Sequence, residues 1–197
     1  KFSAESGQKL VIHCRCMRLQ DRIHDLQTHA DPIITIKNHL GSTIAACDNY
    51  FAADPYLVVD IPQTGEYYLE VRDVRYKSNA YWNYAIEVID RPFPTNAFPL
   101  AIAADQPAEF ELIGDSLEPG TKASFDPFPL ALNQGRQWLS LPAPDGSLYD
   151  PIPVYVSNEK VLVEEGDDND DIEHAQQIEV PAVVNGRMDK EADIDYY

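Results

Sequence analysis

The run Lys9-Leu10-Val11-Ile12-His13-Cys14-Arg15-Cys16 places Leu10, Ile12, Cys14 and Cys16 on one side of an extended chain, because successive strand side chains alternate faces. The same period of two continues outward from it. Pro32-Ile33-Ile34-Thr35-Ile36-Lys37 is short and β-branched, Asn38 to Ser42 turns, and Thr43 to Cys47 runs back, which reads as a hairpin. Tyr56 to Ile61 is a further strand. Pro62-Gln63-Thr64-Gly65 is a turn, with proline fixing φ and glycine supplying the permissive position. Glu66 to Arg72 and Tyr81 to Val88 complete the set. About six strands separated by turns in about 90 residues predict a β-sandwich. The best helical stretch is short, around Arg18 to Gln27.

Two prolines in Asp90-Arg91-Pro92-Phe93-Pro94-Thr95 predict a linker, since proline cannot continue a central strand. Beyond it, Ala108 to Gly114, Gln137 to Leu141 and Pro153 to Ser157 alternate again, with prolines dense between them. This predicts a second, smaller β unit over residues 92–160. A third segment, residues 161–197, opens on the acidic run Glu164-Glu165-Gly166-Asp167-Asp168-Asn169-Asp170-Asp171. A helical turn is expected near Ile172 to Gln177, then short strands at Gln177 to Pro181 and Ala182 to Gly186.

The 197 residues are 44% hydrophobic and 24% charged, an ordinary balance for a globular chain. No apolar run approaches the roughly 18 residues of a membrane span. The first residue is Lys1, which leads us to expect a removed signal or a segment of a longer chain. The net charge of −18 repels nucleic acid and anionic lipid and suits hard cations. Three cysteines, Cys14, Cys16 and Cys47, argue against a disulfide framework. Buried thiols, one bridge to Cys47, or a metal site using Cys14, Cys16 and a histidine all remain open, although C-x-C lacks the usual zinc spacing.

Residues 1–90 carry Ala4-Glu5-Ser6-Gly7-Gln8-Lys9-Leu10, Ala30-Asp31-Pro32-Ile33, Asp54-Pro55-Tyr56-Leu57 and Gly65-Glu66-Tyr67-Tyr68-Leu69-Glu70-Val71-Arg72-Asp73. Residues 165–197 carry the acidic Asn-Asp segment, Val184-Asn185-Gly186 and Asp193-Ile194-Asp195-Tyr196-Tyr197. In these stretches, about 60% of the chain, the sequence resembles the bacterial pre-peptidase C-terminal domain family, small secreted β-sandwiches appended to proteases or repeated in surface proteins. Residues 92–160, through Glu109 to Leu117, resemble the immunoglobulin-like modules found between such repeats. The resemblance implies a jelly-roll-like sandwich, an immunoglobulin-like module, and the opening strands of a further repeat. Reading the end of the chain into its start restores the family order. That fits a cut from a tandem array, or a tail that docks on residues 1–91 as a swapped or permuted strand set.

No G-x-S-x-G elbow, H-E-x-x-H helix, P-loop or G-x-G-x-x-G turn occurs, and the chain is read as non-catalytic. His13, His24, His29, His39 and His174 are expected to be ordinary surface histidines. Calcium takes about six to eight oxygens, and Glu165, Asp167, Asn169 and Asp170 offer them at close spacing. Collagen-binding relatives in the resembled family have an E-x-E-x-N-D calcium segment. Asp167 stands here for the second glutamate, and the resemblance implies Asp193, or Asp189, as a later ligand. The competing reading is a solvated acidic linker. Tyr67, Tyr76, Tyr81 and Trp82, crowded with Tyr68 and Tyr84, are either core aromatics or a binding face for an extracellular protein or polysaccharide. The resemblance therefore implies a non-catalytic binding or spacer module, adhesin-like and calcium-stabilised, outside the cell, in the periplasm or at its surface. The alternative is an accessory region of a secreted peptidase or other hydrolase.

Overall fold

The computed structural model describes residues 1–17, 29–166 and 169–197. The helix expected over Arg18 to Gln27, His24 and Asp167 lie outside the described residues. The chain is all-β and divides into two units, Lys1–Arg91 and Pro92–Tyr197.

In the first unit the strands are β1 (Phe2–Ala4), β2 (Lys9–Arg15), β3 (Pro32–Asn38), β4 (Thr43–Cys47), β5 (Tyr56–Asp60), β6 (Gly65–Asp73) and β7 (Ala85–Ile89). They form two antiparallel sheets, ordered β1-β6-β3-β4 and β5-β2-β7. The alternation read in the sequence is what fills the space between them. Leu10, Ile12 and Cys14 of β2 meet Ile34 and Ile36 of β3, with Leu57, Val59, Ile61 and Tyr67 completing the core. The β3–β4 hairpin is antiparallel with Ile34 opposite Cys47. Strand β2 is covered on its other face too. Val11 and His13 are buried, and the His13 ring lies 5.4 Å from Phe51 and 5.7 Å from Tyr56. His13 is thus a core residue and not a surface histidine.

Beyond β2 the chain is held by Asp54, whose buried carboxylate accepts from the backbone N–H groups of Cys16 (3.0 Å) and Met17 (2.7 Å). The three cysteines are free thiols, which removes the disulfide alternative. Burial, with Cys16 and Asp54 adding to it, pushes the Cys14 thiol up to about 12.

The second unit contains β8 (Phe93–Phe98), β9 (Ala101–Ala103), β10 (Ala108–Asp115), β11 (Lys122–Phe125), β12 (Gly135–Leu139), β13 (Ile152–Ser157), β14 (Lys160–Val163) and β15 (Ala182–Asn185). Sheets β11-β10-β8 and β12-β13-β9 enclose Phe110, Leu112, Leu139, Leu141, Ile152, Val154 and Val156. The expected linker at residues 90–95 is corrected here, because β8 begins at Phe93 and includes Pro94. Proline is tolerated because β8 is an edge strand, so its missing N–H breaks no central ladder. Gln177 to Pro181 forms no strand. The short turn expected after Ile172 is a 3-10 turn over Ile172–His174, started by the Asp171 side chain accepting from the N–H groups of Glu173 and His174.

The C-terminal segment is built into this unit. β15 pairs in parallel with β14, Val183 opposite Val161. Asn185 is buried, and its carboxamide accepts from Ala101 N at 2.8 Å and donates to the Ala101 and Leu162 carbonyls. One side chain thereby occupies both backbone groups of Ala101, as a paired strand would. No described helix is long and apolar enough to cross a membrane.

Candidate functional site

The first candidate region is the loop after β6. Asp73 ends that strand, and its carboxylate accepts from the backbone N–H of Asp31 (3.0 Å), Arg75 (2.9 Å) and Lys77 (3.3 Å) and from Arg75 Nη2 (2.9 Å). The Arg75 guanidinium, with those N–H groups, holds the Asp73 carboxyl well below the usual carboxylate range. A loop tied at so many points can present rigid side chains. Arg72 stands 4.4 Å from the Tyr76 ring centroid and Arg75 5.7 Å from that of Trp82, a cation–π arrangement that fixes ring orientation.

Tyr76 and Tyr81 are 79% and 64% exposed, and Tyr84 joins them at the surface. Arg72, Asp73, Lys77, Asn79, Trp82 and Tyr84 line a recess of about 170 Å³. Tyr67 does not belong to this face. It points into the core, 3% exposed, stacks on Phe2 and donates its hydroxyl to the Gln63 carbonyl at 2.6 Å. Alternation along β6 explains the difference, since Tyr67 and Tyr68 must point opposite ways.

The second candidate region is the acidic segment. Asp170 and Asp193 are brought together around Lys190, whose Nζ lies 2.7 Å from Asp170 Oδ2 and 3.7 Å from Asp193 Oδ1. The Lys190 ammonium lowers the Asp170 carboxyl. Asn169 is buried and turned the other way, donating from Nδ2 to Glu164 Oε1 at 2.9 Å. Glu165 is held through its backbone N–H, which donates to Gln176 Oε1 at 3.0 Å. Of the residues named from sequence, therefore, Asp170 and Asp193 converge, while Glu165 and Asn169 make other contacts.

Sequence reasoning passed over Glu164, Arg187, Lys190 and Asp195. Glu164 Oε2 accepts from Arg187 N at 2.9 Å, which together with the Asn169 amide lowers its carboxyl. Asp195 is raised, by partial burial first and then by the Glu164 carboxylate beside it. A Cβ at Gly186 would stand 2.5 Å from the Tyr197 hydroxyl, so a larger residue there would displace that side chain. The Arg187 guanidinium lies 4.0 Å from the Phe98 ring centroid and 2.5 Å from Glu111 Oε2, anchoring the segment to β8 and β10. No local pattern announces most of these partners, because Glu164–Arg187, Lys190–Asp170 and Arg187–Glu111 join residues 23, 20 and 76 positions apart.

The Glu164, Asp170, Asp193 and Asp195 carboxylates offer oxygens, a chemistry that suits a hard cation. Among the described residues, however, no three acidic, histidine or cysteine side chains surround one point. Asp167 lies outside the described residues. No family model, curated protein or solved structure matches the chain.

Proposed function

We propose that this chain is a non-catalytic binding and spacer module of a secreted or surface bacterial protein, of the pre-peptidase C-terminal type it resembles, and that calcium stiffens its acidic segment. The observation that supports the reading is the way this segment is secured. It is joined to its own unit by β15, Asn185 and Arg187. It also gathers the like charges of Glu164, Asp170, Asp193 and Asp195, with Lys190 between two of them. A solvated linker has no reason to hold carboxylates against their mutual repulsion, whereas an ion-responsive joint does. Asp170 and Asp193 are the residues that would hold the ion, and its charge would offset their repulsion. Neighbouring domains of a longer chain would be the bodies so spaced, and the loop around Tyr76, Tyr81 and Trp82 a contact surface.

The test is the thermal midpoint in millimolar calcium against excess chelator. An ion bound only by the folded state at about 100 times its Kd adds about 2.7 kcal/mol, a shift of several degrees for a unit of this size. Asp170→Asn and Asp193→Asn should each remove most of that shift. Lys190→Gln should lower the midpoint in chelator and enlarge the calcium response, because the ammonium no longer competes. No shift, or one indifferent to both aspartates, overturns the calcium reading.

A further inference from the structure

The second unit holds 21 acidic and 5 basic residues, a net charge of −16. Against that background, of the unit's two three-stranded sheets one bears no acidic side chain. Strands β9, β12 and β13 contain no carboxylate, and their single charged residue is Arg136. Inward, this sheet contributes Ile102, Leu139, Ile152, Val154 and Val156 to the core. Outward, alternation leaves Arg136, Trp138, Pro153 and Tyr155, with Trp138 53% and Tyr155 42% exposed. Antiparallel register sets Arg136 opposite Tyr155 and Trp138 opposite Pro153. The two aromatics are thus diagonal neighbours on one face, about 7–8 Å apart at their backbones. They stand on hydrogen-bonded strands, so little ordering is left to be lost on binding.

We infer that the outward face of the β12-β13-β9 sheet is a platform for a neutral polysaccharide, with Trp138 and Tyr155 stacking on sugar rings and Arg136 donating to hydroxyls. Charge selects this occupant. A field of −16 repels acidic polymers and a second copy of the same acidic chain. A basic partner would be drawn to the carboxylate-bearing surfaces and not to a sheet without them. What remains suited to flat exposed rings and one guanidinium fork is an uncharged chain with C–H faces and hydroxyl oxygens. This gives a specific surface to the binding role proposed above, and it does not depend on the calcium response.

The test is retention of the whole chain on insoluble cellulose, chitin and β-glucan, with alginate as the acidic comparison, in calcium and in chelator. The expected result is retention on at least one neutral polymer and not on alginate, in both buffers. Trp138→Ala and Tyr155→Ala should each weaken it about tenfold, with Trp138→Phe keeping most of it. Phe128→Ala, which removes an exposed aromatic of the same unit outside this sheet, should change nothing. A folded Trp138→Ala chain that binds as well as the parent overturns the inference. So do failure on every neutral polymer, preference for alginate, or a dimer in sedimentation that Trp138→Ala dissolves. Retention in chelator without a calcium shift would separate this surface from the calcium reading.

Discussion

Gly114 sits where β10 slips register against β8, between Ile113 and Gly114. A Cβ there would meet the Phe93 carbonyl oxygen at 2.2 Å and Pro94 Cα at 2.7 Å, both backbone atoms that cannot swing aside. Gly114→Ala should therefore cost about 2–3 kcal/mol, seen in denaturant unfolding. Gly65→Ala, with open space around the new methyl group, should change stability by less than about 0.5 kcal/mol. The sequence reads Gly65 as a turn glycine and Gly114 as the end of an alternating run, but nothing in it shows which of the two lacks room for a Cβ. Tyr67 makes a related point. It was legible as a strand aromatic, yet whether it or Tyr68 faced inward depended on which side of β6 met the other sheet. The thiols read more directly: their odd count argued against a disulfide framework, and all three are free.

At the scale of elements, Asn185 does the work of a missing strand. Its carboxamide satisfies the N–H and C=O of Ala101, groups that burial would otherwise leave without partners. Asn185→Ala should cost about 2–3 kcal/mol, and amide exchange at Ala101 should quicken by a corresponding factor, because its acceptor is gone. An unchanged exchange rate would mean that some other group binds Ala101. The strands with regular alternation, β2, β3, β5, β6, β10 and β13, were all legible within a few residues. Of the short ones, β15 was legible at Ala182 to Gly186 but β1, β9, β11 and β14 were not, for three or four residues carry little period to recognise. β8 was misread for a different reason. Its proline, Pro94, signals a break only if the strand is central, and edge position is a property of the sheet, not of the segment.

Over the whole molecule, charge is unevenly divided. Residues 1–91 hold 12 acidic and 10 basic side chains, a net of −2, against −16 for residues 92–197. Self-repulsion of that size is screened by salt. Raising sodium chloride from low ionic strength to about 0.5 M should raise the midpoint of the second unit by several degrees and leave that of the first nearly unchanged. Equal shifts would show that the charge is already neutralised locally by pairs such as Lys122–Glu109 and Lys190–Asp170. By itself the sequence determined the all-β class, the position of the boundary near Arg91 and the acidic character of the C-terminal segment. Those follow from local periodicity, turn chemistry and composition. Only the tertiary structure decided that this segment pairs with β14, that Asn185 and Arg187 hold it, that Asp170 and Asp193 share Lys190, and that Trp138 and Tyr155 share one carboxylate-free face. These are relations between residues distant in the chain, set by which surfaces pack together, and no local pattern encodes them.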